Sequence, residues 1–390
     1  MELTQRQPFG AEALENCAAA LASGSLSSVN GPFTARLEEG FASFYGAAHA
    51  VAASSGTAAL HTAVASLRLE PGTEVVVAPI TDAGSVVPLL YEGLIPTFCD
   101  VDEHLAMTVE GVEAALTERT GAIMLVHLFG GVSDAAALRR FADERGLFLI
   151  EDCSQAHATQ LGARPVGTFG HLGAFSMQQS KHMTSGDGGV VITDDDELAG
   201  RMRLFRDKGW DRSSPHARAY PHLGLNYRIT ELQSAVALPQ LATLPAVVAR
   251  RRAIAARLDE AVAQAPGAEV WTPPPGGPAS YWCYPFYVAP ERRDAVAAAL
   301  REAGVPVTGG YIGAPIFECL AATHEQRTFG SSGHPFPLAG EGFSYADVAV
   351  PHARAALDRV VVVWIHEHLT DADTDAIAAA ITEACNRGAA

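Results

Sequence analysis

The sequence predicts an α/β protein, with a large domain on a mostly parallel sheet followed by a smaller α+β domain. Three observations predict it. Apolar runs between residues 48 and 193 are continuous rather than alternating, as in strands buried on both faces. Helical patterns separate those runs. The 390 residues also exceed one typical core, and Pro273-Pro274-Pro275-Gly276-Gly277-Pro278 supplies a connector.

Taken in order, Val75 to Ala78, Ala122 to Val126 and Leu147 to Ile150 read as buried strands. Helical patterns run from Thr57 to Leu67, Gly84 to Glu92, Val109 to Thr117 and Asp134 to Arg145. A sheet covered on both faces follows, with functional loops at the carboxyl ends of its strands. One long helical stretch starts near Ile229 and ends near Gln264. Tyr281 to Val288 then reads as a strand, Glu291 to Ala303 as a helix, 311–343 as loops and Asp371 to Arg387 as a helix. The expected division is a large domain over 1–240, with an N-terminal arm over about 1–30, and a smaller domain over 241–390.

Hydrophobic residues make up 48% of the chain, enough for a substantial core, and the net charge is −17. Such a surface repels polyanions, so neither nucleic acid nor a membrane is expected as a partner. The cysteines at 17, 99, 153, 283, 319 and 385 include no CxxC pair and no zinc-spaced Cys/His cluster, so reduced thiols and no metal are expected. Met1 to Pro8 has no basic n-region or apolar h-region, and no apolar run approaches bilayer-spanning length. A cytoplasmic location is the expectation.

Three segments carry chemistry. Ser54-Ser55-Gly56-Thr57 forms a small-residue turn opening a helix, where backbone N–H groups and the dipole can bind a phosphate; Thr57 also suits an N-cap. Asp152 follows an apolar strand, where an acid can cap a helix, ligate a metal or meet a cofactor. Lys181 sits in no charge run, between the strand-like Ala174-Phe175-Ser176 and the glycine turn Gly186-Asp187-Gly188-Gly189. No GxGxxG follows the early strands, and that glycine turn has no Walker Lys-Ser/Thr ending, which argues against dinucleotide and P-loop sites. An amine and a carboxylate are what pyridoxal phosphate (PLP) chemistry needs: one holds the cofactor aldehyde, the other pairs with the pyridinium nitrogen.

In this order the motifs resemble the DegT/DnrJ/EryC1/StrS family of sugar and aminocyclitol aminotransferases. The resemblance runs from about residue 10 to the C-terminus and is strongest at 54–60, 151–193 and 224–240. It implies a PLP-dependent transferase of fold type I, like aspartate aminotransferase. It implies that Lys181 holds the cofactor and moves a proton, that Asp152 keeps the pyridine nitrogen protonated, and that Gln155 contacts the ring or its 3-oxygen. Ser176 matches the family's phosphate-binding serine, beside Gly56 and Thr57. Gly224-Leu225-Asn226-Tyr227-Arg228-Ile229-Thr230-Glu231-Leu232-Gln233 matches a block whose asparagine reaches the phosphate in the neighbouring subunit. Asn226 inherits that role, which implies a homodimer with shared sites. Thr230 and Gln233 also read as a capping box.

Two departures stand out. Pro79-Ile80-Thr81-Asp82 carries Asp82 where many relatives have an aromatic residue stacked on the ring, so Asp82 is expected to meet substrate hydroxyls or amine. Asp187 replaces a commoner Glu. Gln178 to Gly186 resembles members acting on keto-cyclitols, and Trp364-Ile365-His366 resembles cyclitol and aminohydroxybenzoate members, which makes His366 a candidate substrate contact. Acceptor contacts are also expected near Phe33 and from 311–343. The implied activity moves an amino group from L-glutamate or L-glutamine to a keto-cyclitol or nucleotide-linked keto-sugar, in aminoglycoside-like secondary metabolism. The rivals are a PLP dehydratase or lyase resembling aminohydroxybenzoate synthase, and a non-catalytic regulator on the same fold.

Overall fold

The structure, a computed structural model, describes residues 2–6, 9–216 and 218–387. Nine strands come from the first half: β1 (His49–Ala53), β2 (Glu74–Val77), β3 (Ile95–Phe98), β4 (Thr120–Val126), β5 (Phe148–Asp152), the hairpin β6 (Gln160–Leu161) and β7 (Arg164–Pro165), β8 (Leu172–Ser176) and β9 (Gly189–Thr193). Seven form one sheet in the order β1-β9-β8-β5-β4-β2-β3. Only β9 opposes the others, pairing antiparallel with β1 and β8, so the sheet is mostly parallel as expected.

Successive residues of a strand point to opposite faces. Val75, Val77, Met124 and Ile150 therefore face the helix Gly56–Leu67 side, while Val76, Ile123, Leu125 and Leu149 face the helix Ala135–Arg145. Both sets are fully buried, which is why these strands are apolar throughout.

A second sheet follows: β10 (Ala268–Val270), β11 (Tyr284–Val288), β12 (Val307–Gly309) and β13 (Val360–Val363), antiparallel in the order β10-β11-β13-β12. Its residues join the larger sheet's in one continuous core, Val77 and Met124 with Phe286 and Val361.

Three sequence expectations change. The stretch from Ile229 to Gln264 is two helices, Glu231–Ala237 and Gln240–Gln264, bent by 49°. Pro239 stands in the break, where its ring and missing N–H prevent continuation. The pattern from Gly84 to Glu92 resolves into a 3-10 turn, Ala83–Ser85, and a short helix, Val87–Tyr91. The strand expected from Tyr281 begins only at Tyr284, because Tyr281 is left-handed at φ 52°. No single helix among the described residues is long and apolar enough to cross a membrane.

Candidate active site

The carboxyl ends of β1, β2, β5 and β8 converge on one cavity of about 240 Å³. The helix Gly56–Leu67 starts directly after the turn that follows β1, and Ser55 caps it by accepting the Ala58 N–H at 3.0 Å. A Cβ on Gly56 would stand 2.6 Å from Ser176 Cβ and 2.7 Å from its Oγ. Glycine is thus what lets the helix start touch the end of β8. Gly56, Thr57 and Ser176 form that wall, with the helix N-terminus turned to it.

Asp152, at the end of β5, is 5% exposed. Its Oδ2 accepts the Ser85 hydroxyl at 2.7 Å and its Oδ1 the Ser154 N–H at 3.0 Å. Ser85 Oγ also lies 2.7 Å from Thr81 Oγ1. No basic side chain among the described residues pairs with Asp152. Gln155 is held at both ends: Oε1 accepts the Phe129 N–H at 2.9 Å, and Nε2 donates to the Tyr311 hydroxyl at 3.0 Å.

Lys181 lies in the loop joining β8 to β9, half-buried, with its amine 3.7 Å from the centre of the Trp282 ring. Burial pushes it down to about 8, against the pull of Asp152 and Asp82 towards the charged form. It is the only basic side chain lining the cavity among the described residues.

Gly56, Thr57, Asp82, Asp152, Gln155, Ser176 and Lys181 are therefore brought together. Asp82 is turned partly aside, because its Oδ1 accepts the Gly84 N–H at 2.8 Å. Asn226 is exposed and lies outside the cavity, bridged by its backbone to Asp207. His366 lines an adjoining cavity of about 650 Å³ that meets the first at Ser180 and Trp282, and burial pushes its ring down to about 4. Phe33 is not at the site. It is buried with Ala20 and Ala235, and its N–H donates to Glu231 Oε2 at 2.7 Å.

Sequence reasoning missed Trp282, Ser85 and Arg6; Tyr311 fell within the region expected to meet the acceptor, but its bond to Gln155 was not foreseen. Arg6 donates to the carbonyl oxygens of Gln179, Ser180 and Lys181, tying the N-terminal segment to the lysine loop. Each of these residues comes from a distant segment, and no local pattern marks it. The residues present fit PLP. A glycine-cleared helix start suits a phosphate, an amine of lowered basicity suits an aldehyde, and a buried carboxylate without a cation suits a protonated ring nitrogen.

The model of the DegT/DnrJ/EryC1/StrS aminotransferase family matches residues 8–382. The spore coat polysaccharide biosynthesis protein SpsC of Bacillus subtilis is 30% identical over 389 residues, covering 96% of this chain and 95% of its own. The L-glutamine:2-deoxy-scyllo-inosose aminotransferase of Streptoalloteichus tenebrarius is 34% identical over 370 residues, covering 89% and 85%. Among solved structures, that of S. venezuelae DesV in complex with a ketimine intermediate superposes with a TM-score of 0.84 at 30% identity, covering 98% of this chain and all of the other.

Proposed function

We propose, from the fact that this chain belongs to the DegT/DnrJ/EryC1/StrS aminotransferase family, that it moves an amino group from L-glutamate or L-glutamine to a ketone of a keto-cyclitol or a nucleotide-linked keto-sugar. It is a PLP-dependent aminotransferase of fold type I. The finer reading, aminocyclitol formation in secondary metabolism, is supported by the likeness to the L-glutamine:2-deoxy-scyllo-inosose aminotransferase. The single observation that carries the activity is the meeting of Lys181 and Asp152 in one cavity, beside a helix start cleared by Gly56. Free thiols at all six cysteines suit a cytoplasmic enzyme.

Bound there, PLP supplies an aldehyde for covalent capture and a ring that draws electrons from the reacting carbon. Gly56, Thr57 and Ser176 hold its phosphate. Asp152 holds a proton at the ring nitrogen, and its two hydrogen bonds, from Ser85 and Ser154, fix the carboxylate's direction. Gln155, braced by Phe129 and Tyr311, would contact the same ring. Lys181, with roughly a tenth of its amines neutral one pH unit below its midpoint, is the residue that would hold the aldehyde and, when free, would move a proton at the substrate carbon. Asp82 meets the hydroxyls of the acceptor. Asn226 reaches the phosphate of the second subunit in a homodimer.

Mixing the protein with PLP produces an absorption band at the visible edge, and Lys181→Ala abolishes it. Borohydride-treated protein carries the cofactor mass on the peptide containing Lys181. Given glutamine and a keto-cyclitol, the product is an amine that keeps every hydroxyl. A product that has lost water instead would move the assignment to a lyase, and no turnover with any donor would move it to a regulator.

A further inference from the structure

The indole of Trp282 is aimed with unusual care. Its face covers the Lys181 amine at 3.7 Å. Its N–H donates to Ser180 Oγ at 3.1 Å and to Ser180 O at 3.2 Å. Trp364 meets its edge at 5.0 Å and 76°, and is itself held by Thr308 Oγ1 at 3.0 Å. The backbone beneath is equally committed. Tyr281 is left-handed at φ 52°, a conformation that costs a residue with a side chain. Fully buried Arg251 donates to the carbonyls of Tyr281 at 3.3 Å and Trp282 at 2.9 Å, and pairs with Glu367 at 2.7 Å. The backbone N–H of Trp282 completes the set, donating to Phe129 O at 3.3 Å.

An indole face attracts a cation, most strongly away from water. We propose that Trp282 is a positioning residue for the reaction, the platform on which the Lys181 amine rests whenever it is not bonded to cofactor, its ring face holding the ammonium in place until the proton is given up. This rests on the reading that the amine alternates between a bonded and a free state. The charged and titratable groups facing the amine are Asp152, Asp82, Cys283 and Arg251, with His157 and His182 behind it. The two carboxylates favour the ammonium, while burial and Arg251 oppose it. The indole joins the carboxylates at contact distance without adding charge. It thereby keeps the free amine beside the reacting carbon instead of letting its flexible stem wander.

Lys181 and Lys208 are the only lysines in the chain, which makes the test clean. Full-length, cofactor-free protein labelled with ε-¹³C-lysine gives two methylene signals, and Lys208→Arg leaves that of Lys181 alone. In the wild type this signal lies upfield of free lysine, shifted by the ring current of the indole. That measurement needs no variant at position 282 to fold. Trp282→Leu removes the upfield shift and lowers the titration midpoint by about 0.5–1 pH unit, whereas Trp282→Phe keeps most of both. An ordinary wild-type shift overturns the proposal, as does a midpoint in the leucine variant at or above the wild-type value. The readout uses neither cofactor nor substrate, so a different donor, acceptor or reaction leaves it standing.

Discussion

At position 181, burial works against the ordinary basicity of lysine. The amine gives up its proton near 8 instead of 10.5 because its cavity hydrates the ammonium poorly, although Asp152 and Asp82 favour it. Only the neutral amine attacks an aldehyde. The sign follows directly: a lowered midpoint raises the neutral fraction at every pH below it. The rate at which cofactor-free protein captures PLP therefore rises about tenfold per pH unit from 6 to 7, then levels off above about 8. A stopped-flow pH series reading the absorption band checks this. A rate still climbing steeply from pH 9 to 10 would mean an amine of ordinary basicity and would contradict the burial account.

The first turn of the helix Gly56–Leu67 and the last residue of β8 form a close contact with no room for a methyl group. Gly56→Ala places its Cβ 2.6 Å from that of Ser176, and both are backbone-anchored, so one element must move. Overpacking of this kind costs about 1–3 kcal/mol, and the moving part is the proposed phosphate wall. The expected result is PLP binding at least about tenfold weaker, measured by equilibrium dialysis, with a far smaller change in Tm of the cofactor-free protein. Equal losses in both would make Gly56 a packing residue alone.

Val75 to Val77 announces its strand because both faces are buried, whereas β3 is hidden by Pro96, tolerated because β3 is an edge strand. The four-valine run of β13 carries the same continuous apolar signal. The block from 224 to 240 was recognised, but its structural tasks needed coordinates. Thr230 and Gln233 form the capping box, while Gln233 Nε2 also donates to Asp187 O at 2.7 Å in the lysine loop. Buried Glu231 accepts the N–H groups of Phe33 and Thr34, at 2.7 and 3.0 Å, and so caps the helix Pro32–Tyr45. Asp152 and Lys181 were legible because their chemistry is rare in such surroundings. Trp282 was not, since folding alone brings it to the cavity, and the brace of Tyr311 on Gln155 likewise exists only once the chain has folded.

For the whole molecule the telling residue is Asn226. Seven of the proposed site residues face the cavity of their own chain, while Asn226 is exposed outside it. If its partner is the phosphate of a second subunit, each dimer holds two sites, each made from both chains. Lys181→Ala and Asn226→Ala homodimers then each lack activity or nearly so. A heterodimer of the two concentrates both defects in one site and leaves the other intact. Random mixing in equal amounts, after reversible dissociation, should restore about a quarter of wild-type activity, because half the dimers are mixed and each has one good site. An Asn226 acting within its own chain gives the opposite result, since every site in the mixed dimer would carry one defect. Activity measured before and after mixing separates the two arrangements, and recovery near zero would assign each site to a single chain.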